Sequence, residues 1–181
     1  MIYLFLADGF EEIEALTTVD ILRRAGLSVT TVGVGNREIT GSHNITVIAD
    51  LVDTELTDFS DATAVILPGG LPGTTNLAAS NTVKAALEYA ANHPDILIAA
   101  ICAAPSVLGK LGLLQGLKAT CYPGYEQALA GAKATGNAVE RDGRVITGKG
   151  AGVTVDFALT IVSALCSDEK AKSLKEAMQC R

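Results

Sequence analysis

The sequence predicts an α/β fold: helices layered on both faces of a mostly parallel sheet. Two observations carry this reading. Short β-rich runs alternate with helical stretches along the whole chain, the pattern of strands joined by crossover helices. The interior is built from Ala, Val, Leu and Ile, with 49% hydrophobic residues and no tryptophan, as suits strands buried on both faces. A chain of 181 residues reads as one domain, 1–181.

The elements follow in order. Ile2–Ala7 is an apolar run halted by Asp8-Gly9; it has no basic leader, so it reads as a strand rather than a signal peptide. Glu11–Ala25 is a helix that opens on three acids, which complement its dipole, and closes on Gly26. Ser28–Val34 is the next strand, and Glu38–Thr40 with Ile45–Ala49 form a small side hairpin. Strand Ala64–Leu67 leads into Pro68-Gly69-Gly70, and a helix spans Asn76–Asn92. Strand Ile96–Ile101 ends at Cys102. The helix Pro105–Leu111 then begins on proline and stops at Gly112. Ala138–Glu140 and Arg144–Ile146 make a hairpin about Arg141-Asp142-Gly143, with Arg144–Thr147 also a strand of the main sheet. Helix Val153–Cys166 and a charged helix Asp168–Met178, capped by Ser167, complete the chain.

Composition excludes some functions. A net charge of -6 and the absence of any Lys/Arg stripe argue against nucleic acid. No segment is long enough to span a membrane. The four cysteines (Cys102, Cys121, Cys166, Cys180) have neither metal-ligand spacing nor a C-x-x-C pair; they read as free thiols of a cytoplasmic protein, with no metal site.

Sites in open α/β sheets form beyond the carboxyl ends of the strands, which directs attention to four loops. Cys102 sits between a buried strand and Ala103-Ala104-Pro105, a strand-to-helix elbow of the kind that presents a nucleophile. A helix N-terminus there favours a thiolate, with a pKa as low as roughly 3.5–7.5. The same window also suits a small buried hydrophobe. Glu11 and Glu12 are explained by the helix dipole. Glu14, between Ile13 and Ala15-Leu16, lies deeper, where burial would keep a carboxyl protonated and let it donate to a thiolate. Gly69 and Gly70 offer unhindered N–H donors for an oxyanion, or simply an ordinary turn. Gly148-Lys149-Gly150-Ala151-Gly152 fits neither a dinucleotide fingerprint nor a Walker loop. It reads as a close-approach turn beside a pocket. The two histidines, His43 and His93, give little support to a Cys-His pair.

Taken together, Ala99-Ala100-Ile101-Cys102-Ala103-Ala104-Pro105, Phe10-Glu11-Glu12-Ile13-Glu14, Val65-Ile66-Leu67-Pro68-Gly69-Gly70 and Gly150–Leu159 resemble the ThiJ/PfpI superfamily, on its DJ-one branch. The resemblance implies a flavodoxin-like three-layer sandwich related to class I glutamine amidotransferases, usually a homodimer. It implies that Cys102 is an oxidation-prone nucleophile, Glu14 its protonated partner, and Gly70 and Ala103 N–H groups the lining of an anion pocket. Two departures stand out. Ala103 occupies the place of the histidine found in the protease-like branch, which argues against peptidase activity. Tyr122 stands where many relatives carry histidine, so acid–base work falls on Glu14, with Tyr122 helping as a donor.

The implied function is cofactor-free conversion of small reactive dicarbonyls, free or as glycated protein, through a Cys102 hemithioacetal. The alternative is an oxidative-stress sensor or redox-linked chaperone acting through Cys102 oxidation.

Overall fold

The computed structural model describes residues 1–180. Its strands are β1 (Ile2–Leu6), β2 (Val29–Gly33), β3 (Glu38–Thr40), β4 (Thr46–Ile48), β5 (Leu51–Val52), β6 (Ala64–Leu67), β7 (Leu97–Ile101), β8 (Lys118–Ala119), β9 (Lys133–Ala134), β10 (Val139–Asp142) and β11 (Val145–Gly148). Its helices are α1 (Glu12–Arg24), α2 (Gly73–Ala79), α3 (Asn81–Asn92), α4 (Pro105–Lys110), α5 (Thr154–Leu165) and α6 (Asp168–Ala177).

Seven strands form the main sheet in the order β10-β11-β7-β6-β1-β2-β5. All its pairs are parallel except β10 with β11. Alternation along each strand splits the core in two. Tyr3 and Phe5 face α2, α3 and α4 through Leu77, Leu87 and Leu108. Ile2, Leu4 and Leu6 face α1 and α5 through Leu22, Phe157 and Ile161. The expected α/β three-layer architecture is therefore present.

The helix expected over Asn76–Asn92 is two helices. Ser80 takes extended backbone (φ -75°, ψ 125°), and its Oγ accepts the Val83 N–H, capping α3. A serine that caps its own backbone competes with continuing a helix through it. The side hairpin is β3 with β4. The β10–β11 hairpin turns two residues later than expected, at Gly143-Arg144, so Arg144 lies in the turn and not in the strand.

From that turn Arg144 reaches the end of α3. Its guanidinium donates to the carbonyls of Ala90 (2.6 Å), Ala91 (2.9 Å), His93 (3.1 Å) and Ile96 (2.9 Å). The last carbonyls of a helix have no partner within it, and here one side chain serves them. Arg144→Met keeps the aliphatic stem but removes every donor. It is expected to cost about 2–3 kcal/mol, since hydrogen bonds to a charged group are the stronger ones. Urea unfolding measures it; a midpoint unchanged from the wild type would show that water replaces the clip.

Candidate active site

The carboxyl ends of β1, β6, β7 and β11 share one edge of the sheet, and the residues that follow them form the site. Cys102 follows β7 with φ +65°, a region that costs an L-residue roughly 1–2 kcal/mol. The backbone on both sides holds it there. Its N–H donates to Gly148 O at 2.9 Å, and its carbonyl accepts the Tyr122 N–H at 2.8 Å. This is the elbow expected from the sequence, with α4 starting three residues on at Pro105.

Glu14 comes from the first turn of α1 and is 1% exposed. Its Oε2 accepts the Gly69 N–H at 2.8 Å. Its Oε1 is buried with no hydrogen-bond partner among the described residues. Gly69 is the hinge between the two functional groups: a Cβ there would stand 2.6 Å from the Cys102 Cβ and 2.7 Å from Glu14 Oε2. Gly70, at φ +91°, is packed against the backbone of Gly9–Glu11, where a Cβ would collide. Gly69→Ala is accordingly expected to push thiol and carboxyl apart, cutting turnover at least about 100-fold and destabilising by about 1–3 kcal/mol through overpacking. Activity and a melting curve on the same preparation check it; wild-type values in both would mean that the thiol–carboxyl gap tolerates a methyl group.

Burial pushes the Glu14 carboxyl up to about 7, against the pull of the Gly69 N–H and the Cys102 thiol. Burial also pushes the Cys102 thiol up, to about 12, joined by the Glu14 charge; the Ala103 and Gly70 N–H groups pull it down and do not prevail. The acidified thiol expected at a helix N-terminus is thus not what the site provides: α4 is only six residues long, while desolvation and a neighbouring carboxylate both oppose the thiolate. Glu14 and Cys102 act as a coupled pair that retains a proton at neutral pH. The Gly70 and Ala103 N–H groups are the two influences that favour the thiolate.

Tyr122 is 51% exposed, and its ring lies over Gly150, where a Cβ would be 3.3 Å from it. Tyr122 and Pro123 form one wall of a cleft of about 370 Å³ whose other wall is Lys149–Val153. Cys121 is buried, and burial raises its thiol to about 11.

One cluster escaped the sequence reading. Glu12, there explained by the helix dipole, is buried. Its Oε1 accepts the His43 N–H at 2.7 Å, and its Oε2 lies 2.9 Å from His43 Nδ1. Burial works against the Glu12 charge, yet these hydrogen bonds hold its carboxyl down at about 2. The glycine before Ser42-His43 is the available signal, because a Cβ at Gly41 would collide with the Glu12 carboxylate. The latch ties the loop between β3 and β4 to the start of the helix that carries Glu14.

Among the described residues, no helix is long and apolar enough to cross a membrane. The family model described as DJ-1/PfpI family matches residues 1–164. Protein DJ-1 homolog B of Arabidopsis thaliana is 39% identical over 169 residues, 92% of this chain and 38% of that protein. The chain spans less than half the length of the plant relatives it matches. A Caenorhabditis elegans protein named glutathione-independent glyoxalase DJR-1.2 is 34% identical over 168 residues, 91% of this chain and 87% of that one. The solved structure of oxidized Toxoplasma gondii DJ-1 superposes with a TM-score of 0.93 at 30% identity, covering 98% of this chain and 97% of that one.

Proposed function

We propose, from the premise that the chain belongs to the DJ-1/PfpI family, that it converts small 2-oxoaldehydes to 2-hydroxy acids without a cofactor. The observation that carries this reading is the buried Glu14 carboxyl facing Cys102 across Gly69, with burial pushing that carboxyl up to about 7. A general base works best with a pKa near the operating pH. The name of the Caenorhabditis elegans relative, a glutathione-independent glyoxalase, supports the same class of chemistry.

The Glu14 carboxylate takes the Cys102 thiol proton as sulfur bonds to the aldehyde carbon of methylglyoxal. Gly70 and Ala103 N–H groups receive the oxyanion. Glu14 returns that proton to the hemithioacetal oxygen, then carries a proton from the aldehyde carbon to the ketone carbon as the hydroxyl proton passes to the ketone oxygen. The first carbon is oxidised to a thioester and the second reduced to an alcohol, so no outside electron carrier takes part. Water cleaves the thioester, releasing lactate and the thiol. A protein-bound hemiaminal of the same aldehyde enters this sequence once its carbon–nitrogen bond breaks, which releases the free amine and the aldehyde. Tyr122, a phenol that ionises near pH 10 in water, serves as a donor rather than a base.

A second reading, a redox sensor working through Cys102 oxidation, is favoured by one observation: Glu14 Oε1, once protonated, is a free donor for a sulfinate oxygen. Lactate formation by purified protein with no added thiol separates the two. Turnover supports the enzyme; no lactate, with ready oxidation of Cys102, leaves the sensor.

The protein works as a cytoplasmic homodimer in this reading. Ile13 and Leu16 on α1 and Ile45 and Ile48 near β4 are exposed apolar side chains, and pairing with a second copy would cover them.

A further inference from the structure

Thr147 is the one polar side chain of β11, and it is fully buried. Val145, on the same face of the strand, packs into the α2–α4 half of the core, and a valine at 147 would suit a buried strand as well. The hydroxyl has a specific partner instead: its Oγ1 accepts the Thr120 N–H at 2.9 Å. β8 pairs with β9 and not with the main sheet, so this side chain, rather than a strand ladder, fastens Thr120 to β11. Thr120 is itself buried, where an N–H left without an acceptor is costly.

The bond closes a ring around the elbow. Two residues on from Thr120, the Tyr122 N–H donates to the Cys102 carbonyl at 2.8 Å. One residue on from Thr147, the Gly148 carbonyl accepts the Cys102 N–H at 2.9 Å. Two segments thus hold the backbone of Cys102 from either side, and the Thr147 hydroxyl ties those segments together. A residue other than glycine keeps a φ such as the +65° of Cys102 only where its surroundings over-determine it.

We infer that Thr147 is a positioning residue: its hydroxyl holds the 120–122 segment against β11, and so keeps the Cys102 backbone left-handed and its thiol beside Glu14. The expected loss of turnover rests on the reaction proposed above; the place of the sulfur does not.

Thr147→Val keeps the shape and removes the acceptor, whereas Thr147→Ser keeps the acceptor. Arg144→Met, at the far end of β11, is the control for lost stability. In Thr147→Val the Tyr122 N–H slackens, Cys102 relaxes, and its thiol leaves the buried place beside the Glu14 charge that holds it up at about 12. Iodoacetamide labelling of the Cys102 peptide at pH 8 is expected to rise about tenfold, the worth of one pH unit in thiol ionisation. The kcat for methylglyoxal is expected to fall about tenfold, with KM less affected. Thr147→Ser should keep both within about threefold of the wild type, and Arg144→Met should change neither. A threonine that only satisfied a buried N–H would lose stability on Thr147→Val and leave labelling and kcat alone; that result overturns the positioning role, as does Thr147→Ser behaving like Thr147→Val. Altered labelling with no lactate from the wild type keeps the positioning role and removes the reaction. Native-state hydrogen exchange of the wild type needs no variant: the amides of Cys102, Thr120 and Tyr122 are expected to open together, at rates within about tenfold. A protected Thr120 amide beside a freely exchanging Tyr122 amide would overturn the ring.

Discussion

Cys102→Ser is expected to abolish lactate formation, by at least roughly 10³-fold, while leaving the fold in place. The Gly70 and Ala103 donors and the Glu14 base all remain in the variant, so the loss isolates the sulfur. A serine hydroxyl is a far weaker nucleophile than sulfur and ionises at much higher pH. Serine keeps nearly the same shape at φ +65°, so the conformational cost of the elbow is unchanged, and unfolding in urea should move by no more than about 1 kcal/mol. Lactate at the wild-type rate from Cys102→Ser would dismiss the hemithioacetal. Peptide mass spectrometry after peroxide treatment should also lose the oxygen additions that Cys102 otherwise carries.

Glu14→Gln is the second large effect, and it moves three measurements in different directions. Turnover is expected to fall about 10²–10⁴-fold, the usual worth of a general base. The thiol, relieved of a neighbouring negative charge, should ionise at lower pH than in the wild type, where burial and that charge hold it up at about 12. Iodoacetamide labelling of the Cys102 peptide across a pH series reads this directly. Faster labelling of the wild type at neutral pH would show instead that a protonated Glu14 donates to a thiolate.

Stability gives the third measurement. A carboxyl raised from 4.5 to about 7 on folding binds its proton more tightly in the native state. Native stability is therefore full below about pH 4.5 and declines as pH rises through 7. Glutamine has no such proton to lose. Between pH 4 and pH 8 the balance should shift in favour of Glu14→Gln by up to about 3 kcal/mol, at roughly 1.4 kcal/mol for each tenfold change. Parallel urea titrations at the two pH values test it.

The central strands and the elbow were legible because they are written in contiguous residues. Ile2–Leu6 and Leu97–Ile101 are unbroken apolar runs, and Cys102 ends one of them. The Glu14–Gly69–Cys102 meeting was legible only in outline, since its members come from the first turn of α1 and two separate loops that share an edge after the sheet has formed. Thiol acidity was misread because a helix N-terminus is a local feature, whereas the desolvation and the Glu14 charge that outweigh it are products of tertiary packing. The His43–Glu12 latch is of the same kind, joining residues 31 apart with no periodic signal. The break at Ser80 was local, and it was passed over because the apolar spacing continues on both sides of it.

The Arg144 clip bears on the order in which the chain folds. Its four acceptors lie 48 to 54 residues earlier, so the guanidinium finds them only once α3 and β7 are built and β11 has paired with β7. Contacts that close such long loops come at a high entropic cost before they return any stabilisation, and the clip belongs after the folding transition state. The lost stability of Arg144→Met should then be seen almost wholly as faster unfolding, with the refolding rate close to the wild type. In that role the turn between β10 and β11 acts as a kinetic lock. It sets how long the assembled sheet, with Cys102 and Glu14 held together at its other end, survives before it opens.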